Sequence, residues 1–126
     1  MGWRCHDVSQ YRKTLKRLLP YKEKNTVIRM RFDEALSLFP DEYFDFIYID
    51  GYAHTGQDNG KTLTDWWPKL KKGGVFSGDD YHSDWPNTMR VVNEFTAQNN
   101  LKLNIFKFTA EKGRWSNYPS WYTIKE

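Results

Sequence analysis

The chain has 126 residues, with 19 Lys/Arg, 16 Asp/Glu and a formal charge of +3, and this length predicts a single domain over residues 1–126. Its mean hydropathy of −0.83 leaves no apolar run near the ~20 residues of a spanning helix, which excludes a transmembrane segment. Cys5 is alone, so there is no internal disulfide and no cysteine-based zinc finger; the start MGWRCHDVSQYRK lacks the apolar centre of a secretory signal, and the expectation is a soluble, cytoplasmic protein without a membrane partner.

Asp7 followed three residues later by Gln10 forms a capping box, and Tyr11, Leu15, Leu18 and Leu19 recur at helical spacing up to Pro20, predicting a helix over 8–19. Residues 1–31 hold nine Lys/Arg against Asp7 and Glu23, a balance of +7, while the remaining ten basic and fourteen acidic residues leave −4. Most of the basic residues fall on the wet face and exit loop of that helix. We therefore read them as solubilising charge rather than a nucleic-acid surface.

Thr26, Ile28, Met30 and Phe32 alternate with Val27, Arg29 and Arg31, predicting a half-buried strand over 26–32. A short helix carrying Ala35, Leu36 and Phe39 follows, stopped by Pro40. Phe44 to Ile49 is apolar on both faces except for Asp45, the signature of a central strand covered on both sides. It ends at Asp50-Gly51. After a polar loop from Tyr52 to Gly60, Leu63, Trp66, Trp67 and Leu70 give a helix broken near Pro68. Gly73-Gly74 predicts a turn into the strand VFSGDDY, which ends at the carboxylates Asp79 and Asp80.

Asn87 is placed to cap a helix whose inner face is Met89, Val92 and Phe95, with Asn99-Asn100 as its left-handed stop. Strands then follow at Leu101, Leu103 and Ile105 and at WYTIK, joined by a turn-rich connector that predicts antiparallel neighbours. The order implies an α/β fold of about five strands, the first three parallel, with a C-terminal antiparallel pair and helices on both faces. Ligands of such sheets sit beyond the carboxyl ends of the strands. There the sequence places Asp33, Asp50 to His54 and Asp79 to His82.

Residues 44–95, with the strand ending in Asp50-Gly51, the nearby His54, Asp65 and the tryptophan pair, Lys-Leu-Lys-Lys-Gly-Gly at 69–74 and Asp-Asp-Tyr at 79–81, resemble the class I S-adenosylmethionine-dependent methyltransferases, specifically the small-molecule O-methyltransferase-like group. The resemblance implies a truncated Rossmann-like methyltransferase fold. Its opening strand, glycine-rich turn and acidic second strand have no counterpart, since no G-x-G-x-G occurs in the chain. It further implies S-adenosylmethionine as cofactor and a small-molecule acceptor methylated on oxygen or nitrogen. The cofactor would be held by Asp7, Phe32, Asp33 and Asp50. For Asp7 the favoured role is a cap for the first helix, and for Phe32 a place in the alternating core set.

Asp50, at a buried strand's exit, is either a functional carboxylate or a loop cap. With Asp79 or Asp80 it would form an oxygen-rich pocket for Mg²⁺, giving the metal set Asp50, Asp79 and Asp80. The catalytic set is Asp50, His54 and Asp79, with His54 or His82 taking a proton from the acceptor. Trp85 and Trp115 are candidates for substrate contact or an oligomer surface. The alternative function is a non-catalytic fragment or degenerate fold serving binding or assembly. In either case the missing first strand leaves an open slot beside Phe44 to Ile49, to be filled by the strand at 26–32 or by another chain, and a homodimer through that edge is expected.

Overall fold

The computed structural model describes residues 7–51, 57–106 and 118–126. The backbone clusters into two compact units, residues 1–31 and 32–126.

In the first unit, Asp7 is the N-cap of α1 (Val8–Leu18), its Oδ1 accepting the Gln10 N–H at 2.9 Å as the capping pattern requires. Lys16 and Arg17 lie in the last turn, where positive charge complements the helix dipole. A 3₁₀ turn, Leu19–Tyr21, carries Pro20, and the Asn25 side chain closes this end by donating to the Tyr21 carbonyl at 2.6 Å. The Arg29 guanidinium lies 4.8 Å from the centre of the Tyr11 ring. The strand expected over 26–32 does not form: residues 25–31 are irregular, and Phe32 starts a helix. Alternation marks a chain ready to enter a ladder, but a strand exists only against a hydrogen-bonded neighbour. Without one, Ile28 and Met30 stay about 40 % exposed.

In the second unit, α2 (Phe32–Ala35) continues as a 3₁₀ turn, Leu36–Leu38, and ends as Phe39 turns extended before Pro40. The Phe39 ring packs on Phe44 at 4.7 Å and Tyr43 at 5.3 Å between centroids. β1 (Phe44–Ile49) occupies the segment expected. α3 (Lys61–Trp66) passes into a 3₁₀ turn, Trp67–Lys69, with Pro68 at its start, which is the predicted break. β2 (Leu70–Gly78) begins earlier than expected, so Gly73-Gly74 is not a turn before the strand but an outward loop within it. Phe44 pairs with Leu70 and Phe46 already with Val75, so the intervening residues of β2 bulge. Gly73 has φ +81°, and a Cβ on Gly74 would lie 2.9 Å from the Asp45 carbonyl oxygen, a contact only glycine tolerates.

α4 (Pro86–Gln98) has Trp85 at its N-cap position with no capping side chain, and Pro86 in its first turn. Asn87 therefore lies inside the helix rather than capping it, because proline's fixed φ suits the first helical position. At the other end Asn100 takes φ +55°, the left-handed stop expected. β3 (Asn104–Phe106) and β4 (Ser120–Ile124) complete a four-stranded sheet of order β1-β2-β4-β3. Only β1 and β2 run parallel, and the C-terminal pair is antiparallel. The architecture is thus a truncated Rossmann-like α/β fold with four strands among the described residues instead of the five expected, the strand over 26–32 being absent. In that sheet order β1 is an end member rather than a central one.

The core forms where Leu63 of α3 and Val91, Val92 and Phe95 of α4 meet Ile49, Leu70, Phe76 and Trp121 of the sheet. Phe76 contacts Trp121 edge-on at 5.7 Å, and Trp67 contacts Phe95 edge-on at 5.2 Å. Lys125 fastens the end of the α3 segment to β4. Its ammonium donates to the Trp67 and Leu70 carbonyls at 2.9 and 2.8 Å and lies 4.9 Å from the centre of the Trp67 ring.

Candidate functional site

Parallel pairing sets the carboxyl ends of β1 and β2 side by side, with Ile49 opposite Gly78. The next residues, Asp50 and Asp79, therefore leave the sheet from adjacent strand ends, and the Asp79 N–H donates to the Ile49 carbonyl at 3.1 Å, one step past β2. Asp50 is exposed and Asp79 half-buried. Asp79 faces a cavity of about 10 Å³ bounded by Leu63, Thr88, Val92 and Trp121, a volume that holds one water at most.

Asp80 takes φ +59° and is buried. The left-handed residue reverses the chain there, and the Tyr81 N–H reaches the Pro119 carbonyl at 3.0 Å. Among the described residues no group of three or more His, Cys, Asp or Glu side chains is placed to hold an ion, so Asp50, Asp79 and Asp80 do not form the expected metal set and Mg²⁺ gains no support.

Tyr48, read from sequence as strand filling, belongs to the same edge. Its hydroxyl lies 2.9 Å from the Ser120 Oγ, bridging β1 to β4 across β2. Partial burial pushes its pKa above the usual tyrosine value; the Ser120 hydrogen bond opposes this, and the Asp79 and Asp50 carboxylates reinforce it. The phenol is held neutral, a hydrogen-bond donor and acceptor beside two carboxylates. The alternation Phe44, Phe46, Tyr48 could have revealed it, since it puts a polar tip on one sheet face near the strand end. Ser120 could not have been found before the pairing of β4 was known.

Phe32 stands at the start of α2, 39 % exposed, so the core reading of this ring is not what the fold adopts. Its ring lies over Gly51, where an added Cβ would meet Phe32 Cζ at 3.3 Å. Gly51 itself has φ +143°. The partly exposed Phe32 ring thus adjoins Gly51, the residue that follows Asp50. Asp33 is exposed, its Oδ1 accepting the Glu34 N–H at 3.1 Å. Lys61, at the start of α3, is ion-paired with Asp65; that hydrogen bond, with Asp33 and Asp58 nearby, raises the ammonium pKa. Asp7 lies in the first unit, where its carboxylate is the helix cap already described.

Beyond β2, the His82 Nδ1 accepts the Asp84 N–H at 3.1 Å. The Asp84 carboxylate lies 3.6 Å from the same nitrogen. Tyr118 donates to Asp84 Oδ2 at 3.2 Å and lies 5.0 Å from the His82 ring and 6.0 Å from Trp85. The Asp84 hydrogen bond pushes the Tyr118 pKa up. His54 and Trp115 lie outside the described residues.

Comparison with known proteins adds three findings. Residues 4–81 match the family model described as a methyltransferase domain. The match thus starts well before residue 44 and stops at Tyr81, toward the N-terminus from the segment that carries the resemblance. A solved structure of a possible exported protein from Bordetella parapertussis is similar at 14 % identity and a TM-score of 0.58, over 95 % of this chain and 51 % of that one; the likeness is one of fold, and the chain spans about half of that protein's length. No curated protein matches.

Proposed function

The chain belongs to the methyltransferase-domain family, and from that premise we propose that it binds S-adenosylmethionine at the corner made by Phe32, Gly51 and Asp50 and directs methyl transfer to an oxygen or nitrogen of a small acceptor. The observation that carries this reading is the exposed Phe32 ring lying over Gly51, next in sequence to the exposed carboxylate of Asp50. A flat aromatic face beside a hydrogen-bond acceptor suits a purine and a ribose hydroxyl.

S-adenosylmethionine, when bound, supplies an electrophilic methyl group on a sulfonium. In this reading Phe32 stacks on the adenine, and Asp33 lies at the base of the same helix. Asp50 accepts from a ribose or acceptor hydroxyl. Asp79, on the neighbouring strand end, and the neutral Tyr48 hydroxyl orient the acceptor, and His54 takes its proton. Catalysis then rests mainly on positioning. The described residues fit the purine side of the donor. The glycine-rich turn that would let the backbone approach its other end is absent from the sequence.

A second reading, a fold kept for binding without catalysis, is favoured by the size of the cavity at Asp79, about 10 Å³, against the roughly 300 Å³ or more of ordinary ligand pockets. Titration calorimetry with S-adenosylmethionine and its demethylated product separates the two. Micromolar binding that Phe32→Ala weakens about 10- to 100-fold, the usual range for losing one stacked base, supports the donor site. No heat at millimolar ligand leaves the binding-module reading.

A further inference from the structure

β1 is an edge strand, and its backbone direction is fixed by three bonds. The Tyr43 N–H donates to the Lys69 carbonyl at 2.9 Å, the Ile47 carbonyl accepts from Ser77 Oγ at 2.9 Å, and the Ile49 carbonyl accepts from the Asp79 N–H at 3.1 Å. The odd-numbered residues thus turn their N–H and C=O groups toward β2. Because backbone direction alternates along a strand, Phe44, Phe46 and Tyr48 turn theirs toward the open side, where the sheet order provides no further strand among the described residues.

Natural edges are protected by lysine, proline, a bulge or shortness. From Phe46 to Ile49 β1 has none of these. Its one charged residue, Asp45, is paired with Lys71 at 3.4 Å. Phe46 and Tyr48 are 58 % and 43 % exposed, and their rings stack on one another at 6.5 Å and 12°.

From this geometry we infer that the open edge of β1 pairs with β1 of a second copy of the chain. A two-fold axis perpendicular to a sheet makes the joined strands antiparallel and keeps matching faces on the same side. Centred on Phe46, it sets Phe46 opposite itself and Phe44 opposite the second copy's Tyr48. All of these residues turn their backbone groups outward, so every directly opposed pair of this set is a hydrogen-bonded pair, about six bonds in all. The Phe46 and Tyr48 side chains, stacked on one face, continue across the axis as an aromatic ladder. Asp45 falls opposite Ile47 instead of another carboxylate. The occupant is a second copy because the edge is complementary to itself in hydrogen bonding, in side-chain type and in charge. This inference does not depend on the methyltransferase reading.

The test is sedimentation equilibrium of the whole chain from micromolar to millimolar concentration, with amide hydrogen exchange measured at both limits. The expected result is a reversible dimer in which the Phe46 and Tyr48 amides become protected as concentration rises. Phe46→Pro removes an N–H that faces outward and none that bonds β2; the two symmetry-related bonds it deletes should weaken the dimer roughly 100-fold with the circular dichroism unchanged. A chain monomeric throughout, a dimer whose Phe46 and Tyr48 amides exchange as in the monomer, or a Phe46→Pro dimer of unchanged strength overturns the inference. So does an edge occupied only by a different polypeptide. If Phe46→Pro fails to fold, Phe46→Lys, at the position that lies opposite itself and is 58 % exposed, sets two ammonium groups against one another across the edge, and persistence of its dimer has the same weight.

Discussion

Gly78 ends β2 directly opposite Trp121 of β4, and it is glycine because nothing larger fits. A Cβ built there lies 2.7 Å from the indole Nε1 and 2.9 Å from Cε2 and Cζ2. Ordinary non-bonded contact begins near about 3.5 Å, so Gly78→Ala obliges a rigid ring to retreat by about 0.8 Å. Trp121 is 2 % exposed and set edge-on against Phe76 at 5.7 Å, and the adjoining cavity of about 10 Å³ is too small to receive the ring. Overpacking of this kind costs about 1–3 kcal/mol. We take about 2 kcal/mol, which for a chain of this length lowers Tm by about 8 °C. Urea unfolding and calorimetry of wild type, Gly78→Ala, Trp121→Phe and the double variant measure it as a cycle. In the Trp121→Phe background, where the indole edge is gone, the cost of Gly78→Ala should fall below about 0.5 kcal/mol. A Gly78→Ala protein within about 0.5 kcal/mol of wild type, or an equal cost in both backgrounds, refutes the reasoning.

Two further outcomes follow from the same structure. The Tyr48 pKa is raised by burial and by the Asp79 and Asp50 carboxylates, so the folded state retains this proton where the unfolded chain loses it. Its contribution to stability is complete below the unfolded value near 10 and declines as pH rises toward the folded value. Tyr118 acts in the same direction, so the quantity to compare is the alkaline slope of urea-unfolding stability in wild type against Tyr48→Phe, and identical slopes above pH about 10 would dismiss the effect. Lys125→Met removes the donor to the Trp67 and Leu70 carbonyls and should lower denaturant stability by about 2 kcal/mol, the usual range for charged hydrogen bonds; a neutral result would mean that water replaces it.

The helical and strand segments of the chain were legible wherever local chemistry decides. Asp7 and Gln10 predicted the start of α1, Phe44 to Ile49 predicted β1 to the residue, and Pro68 and Asn100 marked a helix break and a helix stop. These outcomes depend on φ preferences, caps and apolar runs, all local properties. The candidate site was half legible: Asp50 and Asp79 could be placed at strand ends by pattern alone. Tyr48 with Ser120, and the ring of Phe32 over Gly51, depend on partners far along the chain.

The amino-acid sequence by itself determined an α/β chain, an antiparallel C-terminal pair and a family resemblance that the match over residues 4–81 supports; of the three parallel strands it predicted, two are present. Tertiary structure decided the rest. Residues 26–32 alternate as a strand should but find no ladder, β1 ends the sheet among the described residues although its composition is that of a central strand, and Asp80 takes a left-handed backbone that no periodicity announces. Periodicity states which face a residue can present, whereas pairing requires a second segment at the right place, and only the folded chain shows whether that segment is there.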